Sequence, residues 1–597
     1  MKYYCNPINI SYRYQFNQDP RKGGALQICR EAADPSMICF KGRYYIFASM
    51  TLGVWDSDDL ADWSFHPLPQ ELPLYDYAPD VRVLGEWVYF CASNREHNCD
   101  RWRTKDILNG PYERIEGTFP YWDPNLFVDD DGRIYFYWGC SNQTPIYGVE
   151  LDPDTMNPKG EPIPLIEGHP YEIGYERIGE DNSILPASEA VIEAKYQAFV
   201  KAQGVPEAFL PDNIKPLIRG MFSDKPYIEG AWMDKHAGKY YLQYAAPGTQ
   251  YNTYSDGVYV GESPLGPFRL AKNNPYSYKP GGFIPGAGHG STMEDPKGRL
   301  WHVSTMRISK NHDFERRLGL WKAGFDADGE LFCDQRFGDW VQLLDSKPFE
   351  TPDWMLLSAG KRAFASSFVP GCEPERATEE NVQTWWKAAT NDRTEWLCVD
   401  LGTVFDVRAV QINFADDRLD VPCPGEIRPG SQARYIEERT LFTRWLLEGS
   451  EDGEQWFVIE DKRQAKTDLS HDLIVREEGI SARYLRLSET EIPYEQNPCV
   501  SGLRVFGKGT GAKPAAPTFT ANRSGDTDML VSIAPQKDAL GFNILFGNSS
   551  EKLYHSGMVF RSGEKRIGAL IKDRTYCVRV DAFNENGVTE GACIKLA

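Results

Sequence analysis

Five similar segments in the first 345 residues constrain the fold more than any other feature of this chain. Each contains a turn glycine followed by a strand-like run of aromatic and β-branched residues. The separations between successive glycines are 43, 47, 106 and 60 residues, which fits one four-stranded blade per repeat with a large insertion in the third interval. The sequence therefore predicts an all-β chain that begins with a five-bladed β-propeller. The five glycines are Gly42, Gly85, Gly132, Gly238 and Gly298.

Ionisable residues recur shortly before these glycines. The inner strands of a propeller converge on its axis, so equivalent strand starts surround one small volume. An isolated Asp-Pro pair is most often a turn former, but repetition in phase favours a functional site. In blade two the acidic residue is Asp80, five positions before Gly85 on a shorter turn, and we expect it in the same funnel. The other members stand eight or nine positions before their glycines: Asp34, Asp123, Glu229 and His289.

Three of these residues match the needs of glycoside hydrolysis. An inverting enzyme uses one carboxylate to activate water and one carboxylic acid to protonate the leaving oxygen, roughly 6.5–9.5 Å apart. A third acid near the proton donor would raise the pKa of that donor by like-charge repulsion. Asp34, Asp123 and Glu229 supply this number of groups. Aromatic residues flanking them are candidate sugar-stacking walls, although such rings belong to the core about as often: Trp122, Tyr227 and Trp232.

The motifs around these residues, taken in order, resemble those of glycoside hydrolase family 43, the five-bladed propellers of clan F, over about residues 25–345. The resemblance implies that Asp34 is the general base, that Glu229 is the general acid, and that Asp123 modulates the pKa of the acid and orients it. The motifs are ADPS from residue 33, APDV from 78, YWDPNLFVDDDG from 121, IEGAW from 228, GHGS from 288 and FERRLGLWKAGFDADGELF from 314.

The same resemblance implies further contacts around the axis. It places His289 in the axial channel, near a calcium ion or a structural water, and it makes either Arg316 or Arg317 a substrate-contacting residue. Asp80 belongs to the blade-two motif, and we count it among the substrate-binding candidates. We expect no required cofactor; a structural calcium ion, held by His289 through water, is the one metal candidate.

The remaining sequence predicts two β-sandwich domains, because alternating strands with few helices follow residue 344. Residues 352–508 resemble the discoidin, or coagulation-factor type C, fold. An insertion at 416–439 is long enough to reach a neighbouring domain. After a linker, residues 515–597 resemble a fibronectin type III sandwich. The propeller glycosidase domain itself is assigned to residues 1–345, with a helical insertion at about 181–220.

Charge and composition narrow the partners. The formal net charge of −21 disfavours nucleic acid and anionic membrane surfaces, and the apolar runs are too short for spanning helices. The first 25 residues lack the apolar region of a secretory signal, and thirteen scattered cysteines form no disulfide or zinc pattern. We therefore expect a cytoplasmic protein whose partner is an oligosaccharide, and the oligomeric state stays open.

These features predict an inverting exo-glycosidase that removes terminal α-L-arabinofuranosyl or β-D-xylopyranosyl residues from oligosaccharides derived from plant polysaccharides. Two alternatives stay open: endo-arabinanase-type or galactosidase activity on the same fold, and a non-catalytic carbohydrate-binding protein. Exo cleavage is favoured because the insertion carries Ile192, Tyr196 and Phe199 at helical spacing. We expect this insertion to project from the site end and, with the 416–439 loop, to leave a pocket for one terminal sugar.

Overall fold

The structure is a computed structural model that describes residues 1–18, 24–94, 97–204, 206–308, 312, 314–429 and 433–596. Antiparallel strands dominate it. Within the described residues, every helix is too short or too polar to cross a lipid bilayer. Three strands precede the blades: β1 (Tyr3–Tyr4), β2 (Arg13–Gln18) and β3 (Leu26–Glu31).

Five antiparallel sheets then follow in chain order, four of them with four strands and one with five, which confirms the predicted five-bladed propeller. Blades one and two are β4 (Ser36–Phe40), β5 (Arg43–Phe47), β6 (Gly53–Ser57) and β7 (Ser64–Pro67), then β8 (Asp80–Leu84), β9 (Trp87–Cys91), β10 (Arg101–Thr104) and β11 (Glu113–Ile115). Blade three is β12 (Asn125–Val128), β13 (Ile134–Trp138), β14 (Ile146–Leu151) and β15 (Ile163–Ile166).

The fourth and fifth blades follow two helices, α1 (Glu189–Gln203) and α2 (Ile214–Met221). In blade four a fifth short strand pairs beside the third. Blade four is β16 (Glu229–His236), β17 (Lys239–Ala246), β18 (Ser255–Gly261), β19 (Phe268–Leu270) and β20 (Ser277–Tyr278). Blade five is β21 (Gly288–Glu294), β22 (Leu300–Arg307), β23 (Arg316–Phe325) and β24 (Leu331–Asp334).

The five repeat glycines lie in the turns between the first and second strands of their blades, with φ between 59° and 82°. Only glycine adopts this backbone without a steric cost, which explains the repeated residue. Strand β1 pairs with β25 (Gln342–Leu343) in a separate two-stranded sheet, which joins the start of the chain to the segment after blade five. Hydrogen bonds between neighbouring inner strands also lock the blades, and they join Ser36 to Val81, Asp80 to Leu126, Asn125 to Met233 and Ser291 to Met37.

The helical insertion has a small core of its own. The side chains of Tyr196, Val200 and Ile218 are buried between the two helices. Asn142 and Gln143, in the loop after β13, donate hydrogen bonds to backbone carbonyls of the α2 region. That loop also carries Cys140, so the insertion lies at the end of the propeller where the inner strands begin. One predicted insertion residue, 205, lies outside the described part of the chain.

The second domain is a β-sandwich built around two long strands. Its strands are β26 (Met355–Leu356), β27 (Arg362–Ala365), β28 (Trp386–Lys387), β29 (Trp396–Phe414), β30 (Arg434–Ile436), β31 (Arg444–Ser450), β32 (Phe457–Asp461), β33 (His471–Glu491) and β34 (Cys499–Lys508). Strand β29 pairs with both β33 and β34. Strand β30 instead pairs with β2 ahead of the propeller, so the 416–439 insertion does reach the neighbouring domain. Residues 430–432 of it lie outside the described range.

The third domain consists of two antiparallel sheets. Its strands are β35 (Phe519–Gly525), β36 (Asp528–Ile533), β37 (Gly541–Gly547), β38 (His555–Val559), β39 (Gly563–Ile567), β40 (Cys577–Asn584), β41 (Gly587–Thr589) and β42 (Ile594–Lys595). It packs against the segment that follows β15: Ile173 forms a bridge with Ile571, and Arg177 pairs with Asp528 at 3.0 Å. The fibronectin type III resemblance of this domain stays a prediction.

Candidate active site

The inner strands of the propeller begin with unusual backbone. Asp34, Ala78, Asp123 and His289 each have φ between 48° and 50°, just before the inner strand of their blade or at its start, and Gly230 of blade four has φ 64°. Left-handed backbone is costly for a non-glycine residue, and it concentrates at functional sites. Four blades therefore share one local geometry at the same end of the propeller.

Asp34 is held in the cluster by several hydrogen bonds. Its side chain is buried and accepts hydrogen bonds from Ser49 Oγ at 2.7 Å and from Arg316 Nη1 at 3.1 Å. Nδ1 of His289 lies 3.4 Å from the same carboxylate. Burial alone would raise the pKa of Asp34, but the charges of Arg316 and His289, with hydrogen bonds from Ser49 and Thr305, outweigh it and hold the pKa below its ordinary value. Asp34 is thus kept ionised, as a general base must be.

Glu229 lies close to a second carboxylate and a thiol. One carboxylate oxygen of Glu229, one of Asp123 and Sγ of Cys140 lie within 4.8 Å of one another. Cys140 Sγ donates to Glu229 Oε2 at 3.0 Å, and Tyr254 Oη donates to Glu229 Oε1 at 2.7 Å. Glu229 thus shares one small volume with a second carboxylate, and the Cys140 and Tyr254 donors fix the positions of its two oxygens.

His289 joins the two halves of this cluster. Its Nδ1 lies 3.7 Å from Asp123 as well as 3.4 Å from Asp34, and its backbone NH donates to Asp256 Oδ1 at 2.7 Å. Burial works to lower the pKa of His289, yet the surrounding carboxylates raise it above its ordinary value. A Cβ added at Gly230 would lie 2.8 Å from the imidazole ring, so only glycine leaves room for this histidine.

The two adjacent arginines point to different partners. Arg316 bonds Asp34 and also forms an ion pair with buried Glu31. Arg317 instead donates through Nε to His471 of the second domain at 2.9 Å and is almost fully buried there. The candidate Arg317 is therefore corrected: neighbouring residues of a strand face opposite sides, and only Arg316 faces the carboxylates.

The aromatic candidates also separate. Half-buried Trp122 has its ring 6.2 Å from that of Tyr77, whose ring lies 6.1 Å from that of Phe314. These three rings form an aromatic group beside Arg316. Trp232 is buried beneath the guanidinium of Arg82, 3.4 Å from its ring centre, so its assignment as a sugar-stacking wall is corrected to core packing.

Tyr227, the remaining aromatic candidate, precedes β16 and is 39% exposed. Its backbone NH donates to Pro247 O at 2.9 Å, which joins the segment before β16 to the one after β17. Tyr227 therefore stands near the start of the strand that carries Glu229, on the accessible surface.

Asp80 has a structural place. Its Oδ1 accepts from Asn125 Nδ2 at 3.0 Å and its Oδ2 accepts from the Leu126 NH at 2.7 Å, so blade three uses both oxygens. Burial raises the pKa of Asp80 to about 6. The residue of blade two that corresponds to Asp34 in backbone conformation is Ala78. The expectation that Asp80 faces the funnel is corrected accordingly.

The sequence analysis missed several site residues. Each lies at or just after the end of the second strand of its blade, and each forms a hydrogen bond with a residue near the start of an inner strand. A phase-matched search at that position, seven or eight residues after each turn glycine, would have found them. They are Ser49 on Asp34, Ser93 on the Asp123 NH, Cys140 on Glu229 and Thr305 on the Asp34 NH.

The expected calcium ion has no obvious set of ligands among these groups. Calcium takes six to eight oxygen ligands, whereas the carboxylates around His289 are balanced by Arg316 and by the imidazole itself. The Asp123, Cys140 and Glu229 group mixes oxygen with sulfur, which suits calcium poorly. The calcium ion stays a prediction, and the chemistry below does not depend on it.

Comparison with known proteins agrees with the propeller. The sequence model of the family described as "Glycosyl hydrolases family 43" matches residues 28–176 and 210–331, and that of a "NedA-like, galactose-binding domain" of the F5/F8 type C class matches 376–487. The first match falls on the propeller and the second on the β-sandwich that follows it.

Individual relatives are distant. Xylosidase/arabinosidase 43A of Humicola insolens is 26% identical over 351 residues, 51% of this chain and 96% of that protein. A beta-xylosidase of Xylanibacter ruminicola is 31% identical over 172 residues, 27% of this chain and 44% of that protein. A solved thermostable family-43 glycoside hydrolase aligns with TM-score 0.40 and 22% identity over 58% of this chain and 99% of that one.

The geometry and the family match meet on the same residues. A buried ionised aspartate and a glutamate beside a second carboxylate occupy the axial end of the blades that the family model covers. The propeller domain therefore matches the model of glycosyl hydrolases family 43, and the chain is a glycoside hydrolase that also carries a discoidin-like domain.

Proposed function

We propose that this chain is an inverting exo-glycosidase that releases terminal α-L-arabinofuranosyl or β-D-xylopyranosyl residues from oligosaccharides. The observation that carries the proposal is the contrast between two carboxyl groups in one cluster. Asp34 is held ionised by Arg316 and His289, while Glu229 lies beside Asp123 and accepts a hydrogen bond from Tyr254. We assign Asp34 the role of base and Glu229, on another blade of the same cluster, the role of proton donor.

In the proposed reaction Asp34 takes a proton from a water molecule, whose oxygen attacks the anomeric carbon. The bond between that carbon and the glycosidic oxygen breaks, and Glu229 gives its proton to the leaving oxygen. Asp123 lies in the same cluster and is assigned the supporting role of orienting Glu229. Single displacement inverts the anomeric configuration. The bound sugar would lie near the aromatic group of Tyr77, Trp122 and Phe314, with Arg316 beneath it. Tyr227 is a further candidate contact, whereas Asp80, Trp232 and Arg317 are omitted.

The sugar assignment draws on the names of the distant relatives, a xylosidase/arabinosidase and a beta-xylosidase. The exo assignment draws on the insertion, which packs on the loop that carries Cys140 and so stands beside Glu229. The second-domain strand β30 contributes a second element near the site, since its Arg434 donates to Tyr77 Oη at 2.9 Å. Two walls of this kind favour a pocket for a chain end over an open groove.

A panel of nitrophenyl glycosides tests the proposal. Turnover of the α-L-arabinofuranoside or the β-D-xyloside is expected, with the galactosides as comparison, and NMR of the first product should show the inverted anomer. Asp34→Ala and Glu229→Ala should each lose roughly 10²–10⁴-fold in kcat/KM. The control is Asp131→Ala, which removes an exposed acid from the turn of blade three. Near wild-type turnover by Asp34→Ala would overturn the assignment.

The alternatives have their own readouts. Absence of any released sugar from arabinan, arabinoxylan or the panel would favour a non-catalytic carbohydrate-binding protein. Di- and trisaccharides appearing before monosaccharide in a digest of linear oligomers would favour endo cleavage. Assays after EDTA treatment test the structural calcium ion. The cytoplasmic location is part of the same proposal, and fractionation of the source cells tests it.

A further inference from the structure

The discoidin-like domain contributes one fully buried cation to the neighbourhood of the hydrolytic site. Arg434 lies on β30, whose backbone pairs with β2 of the propeller side, and its side chain is 2% exposed. A charged group so deep in a protein requires partners that compensate its lost hydration. Three partners of its guanidinium, Gln15, Glu31 and Tyr77, belong to the propeller side of the interface.

A chain of polar contacts connects these partners to Asp34, the proposed base. Arg434 Nη2 donates to Tyr77 Oη at 2.9 Å, and Nη1 lies 3.6 Å from Glu31 Oε2 while also donating to Gln15. The other oxygen of Glu31 pairs with Arg316. Arg316 in turn donates to Asp34 at 3.1 Å. Glu31 is therefore a buried carboxylate that contacts two arginines, Arg316 of the propeller and Arg434 of the second domain.

We propose that Arg434 is a positioning residue of the propeller active site, supplied by the second domain. It neutralises Glu31, so that the charge of Arg316 remains available to Asp34, and it fixes the ring of Tyr77 through its hydroxyl. The inference rests on the proposed function, because it assigns Asp34 the role of base and Tyr77 a place in the sugar wall.

Charge balance gives the sign of the expected effect. Glu31, Asp34, Arg316 and Arg434 together carry two negative and two positive charges. Without Arg434, Glu31 competes with Asp34 for Arg316, so protonated Asp34 becomes easier to form and the acidic limb of the kcat/KM profile moves to higher pH. The other titratable groups around Asp34 stay in place: His289, Tyr254, Asp123 and Glu229.

The test compares pH profiles of kcat and kcat/KM on the nitrophenyl substrate that the wild type turns over. Arg434→Met should lower kcat by about 10–100-fold and move the acidic limb upward by roughly half to one pH unit. The double variant Glu31→Gln with Arg434→Met removes one charge of each sign, so its acidic limb should return toward that of the wild type. A role confined to loop packing would produce neither the shift nor its reversal.

The matched control is Arg428→Met in the same second-domain insertion. Arg428 also crosses to the propeller, where it lies 4.5 Å from the ring centre of Tyr75 and donates to Gln70 at 2.5 Å, but it reaches neither Glu31 nor Tyr77. We expect less than a twofold change in kcat and an unmoved profile. An equal effect of both substitutions would overturn the proposal in favour of general interface loss.

If Arg434→Met fails to fold, Arg434→Lys tests the positioning role of Arg434 instead. Lysine keeps the charge but cannot bond Gln15, Glu31 and Tyr77 together, so kcat should fall while the acidic limb stays near its wild-type position. Wild-type kcat and profile in a folded Arg434→Lys or Arg434→Met would overturn the inference alone. A wild-type enzyme inactive on the whole panel would instead overturn the proposed function.

Discussion

Ser49 shows how much a single hydroxyl does in this site. It donates to Asp34 at 2.7 Å, and its oxygen accepts from the Ala78 NH at 2.8 Å. A hydrogen bond to the ionised form lowers the pKa of a carboxyl group, so losing this donor raises the pKa of Asp34. Asp34 would then be protonated, and inactive as a base, at higher pH than in the wild type.

We therefore expect Ser49→Ala to move the acidic limb of kcat/KM upward by roughly half to one pH unit, the equivalent of about 1 kcal/mol. Ser93→Ala is the matched control, because Ser93 occupies the same position in blade two but accepts from the Asp123 backbone NH. It should lower activity without moving that limb. Identical pH profiles for Ser49→Ala and the wild type would contradict the prediction.

Among the elements, the helix pair of the insertion is the one that can be removed as a unit. Its buried residues pack mainly on one another. Its two ends are already joined, since the Ala187 NH donates to Ser223 O at 2.8 Å. A short Gly-Ser linker can therefore replace residues 188–222 with little change to the flanking backbone.

This excision should open the pocket beside Glu229. We expect the shortened enzyme to release di- and trisaccharides early from linear oligomers, whereas the full chain releases monosaccharide only. Chromatography of digests measures this, with circular dichroism to confirm the fold. Phe209→Ala, at a 77% exposed position of the same insertion, is the control and should keep the wild-type products. Unchanged products after excision would mean that the helices do not wall the site.

At the scale of the whole molecule, the three domains share buried contacts. One hydrophobic cluster contains propeller residues such as Tyr175 and Tyr244 together with third-domain residues such as Val531 and Ile571. Arg177 and Asp528 form a largely buried ion pair across that interface. Domains joined in this way are expected to unfold together rather than one by one.

Asp528→Asn should lower the free energy of unfolding by about 3 kcal/mol, because Arg177 keeps its charge in a buried place without an anionic partner. Asp526→Asn is the control: Asp526 pairs with Lys572 on the exposed surface, and such pairs contribute about 0–1 kcal/mol. Denaturant unfolding measures both, and kcat at 25 °C should be unaffected by either. Equal midpoints for the two variants would contradict the prediction.

The fold and the centre of the site could be predicted from the sequence because the short motifs that specify them recur along the chain. Turn glycines at blade spacing predicted the propeller, and residues in phase with them located Asp34, Asp123, Glu229 and His289 at one end of it. Counting from the glycine misplaced Asp80, since the inner strand of blade two begins at that residue and Ala78 takes the special backbone.

The sequence by itself therefore determined the features that recur at the period of a strand or of a blade, namely the turns and the residues in phase with them. Only the tertiary structure decided which of Arg316 and Arg317 faces Asp34, because adjacent residues of a strand point to opposite sides and both sides are buried here. Only the tertiary structure brought Arg434 of another domain to Glu31 and Tyr77. Local periodicity fixes where an element turns and which residues share its face; contacts between residues hundreds of positions apart depend on how finished elements pack.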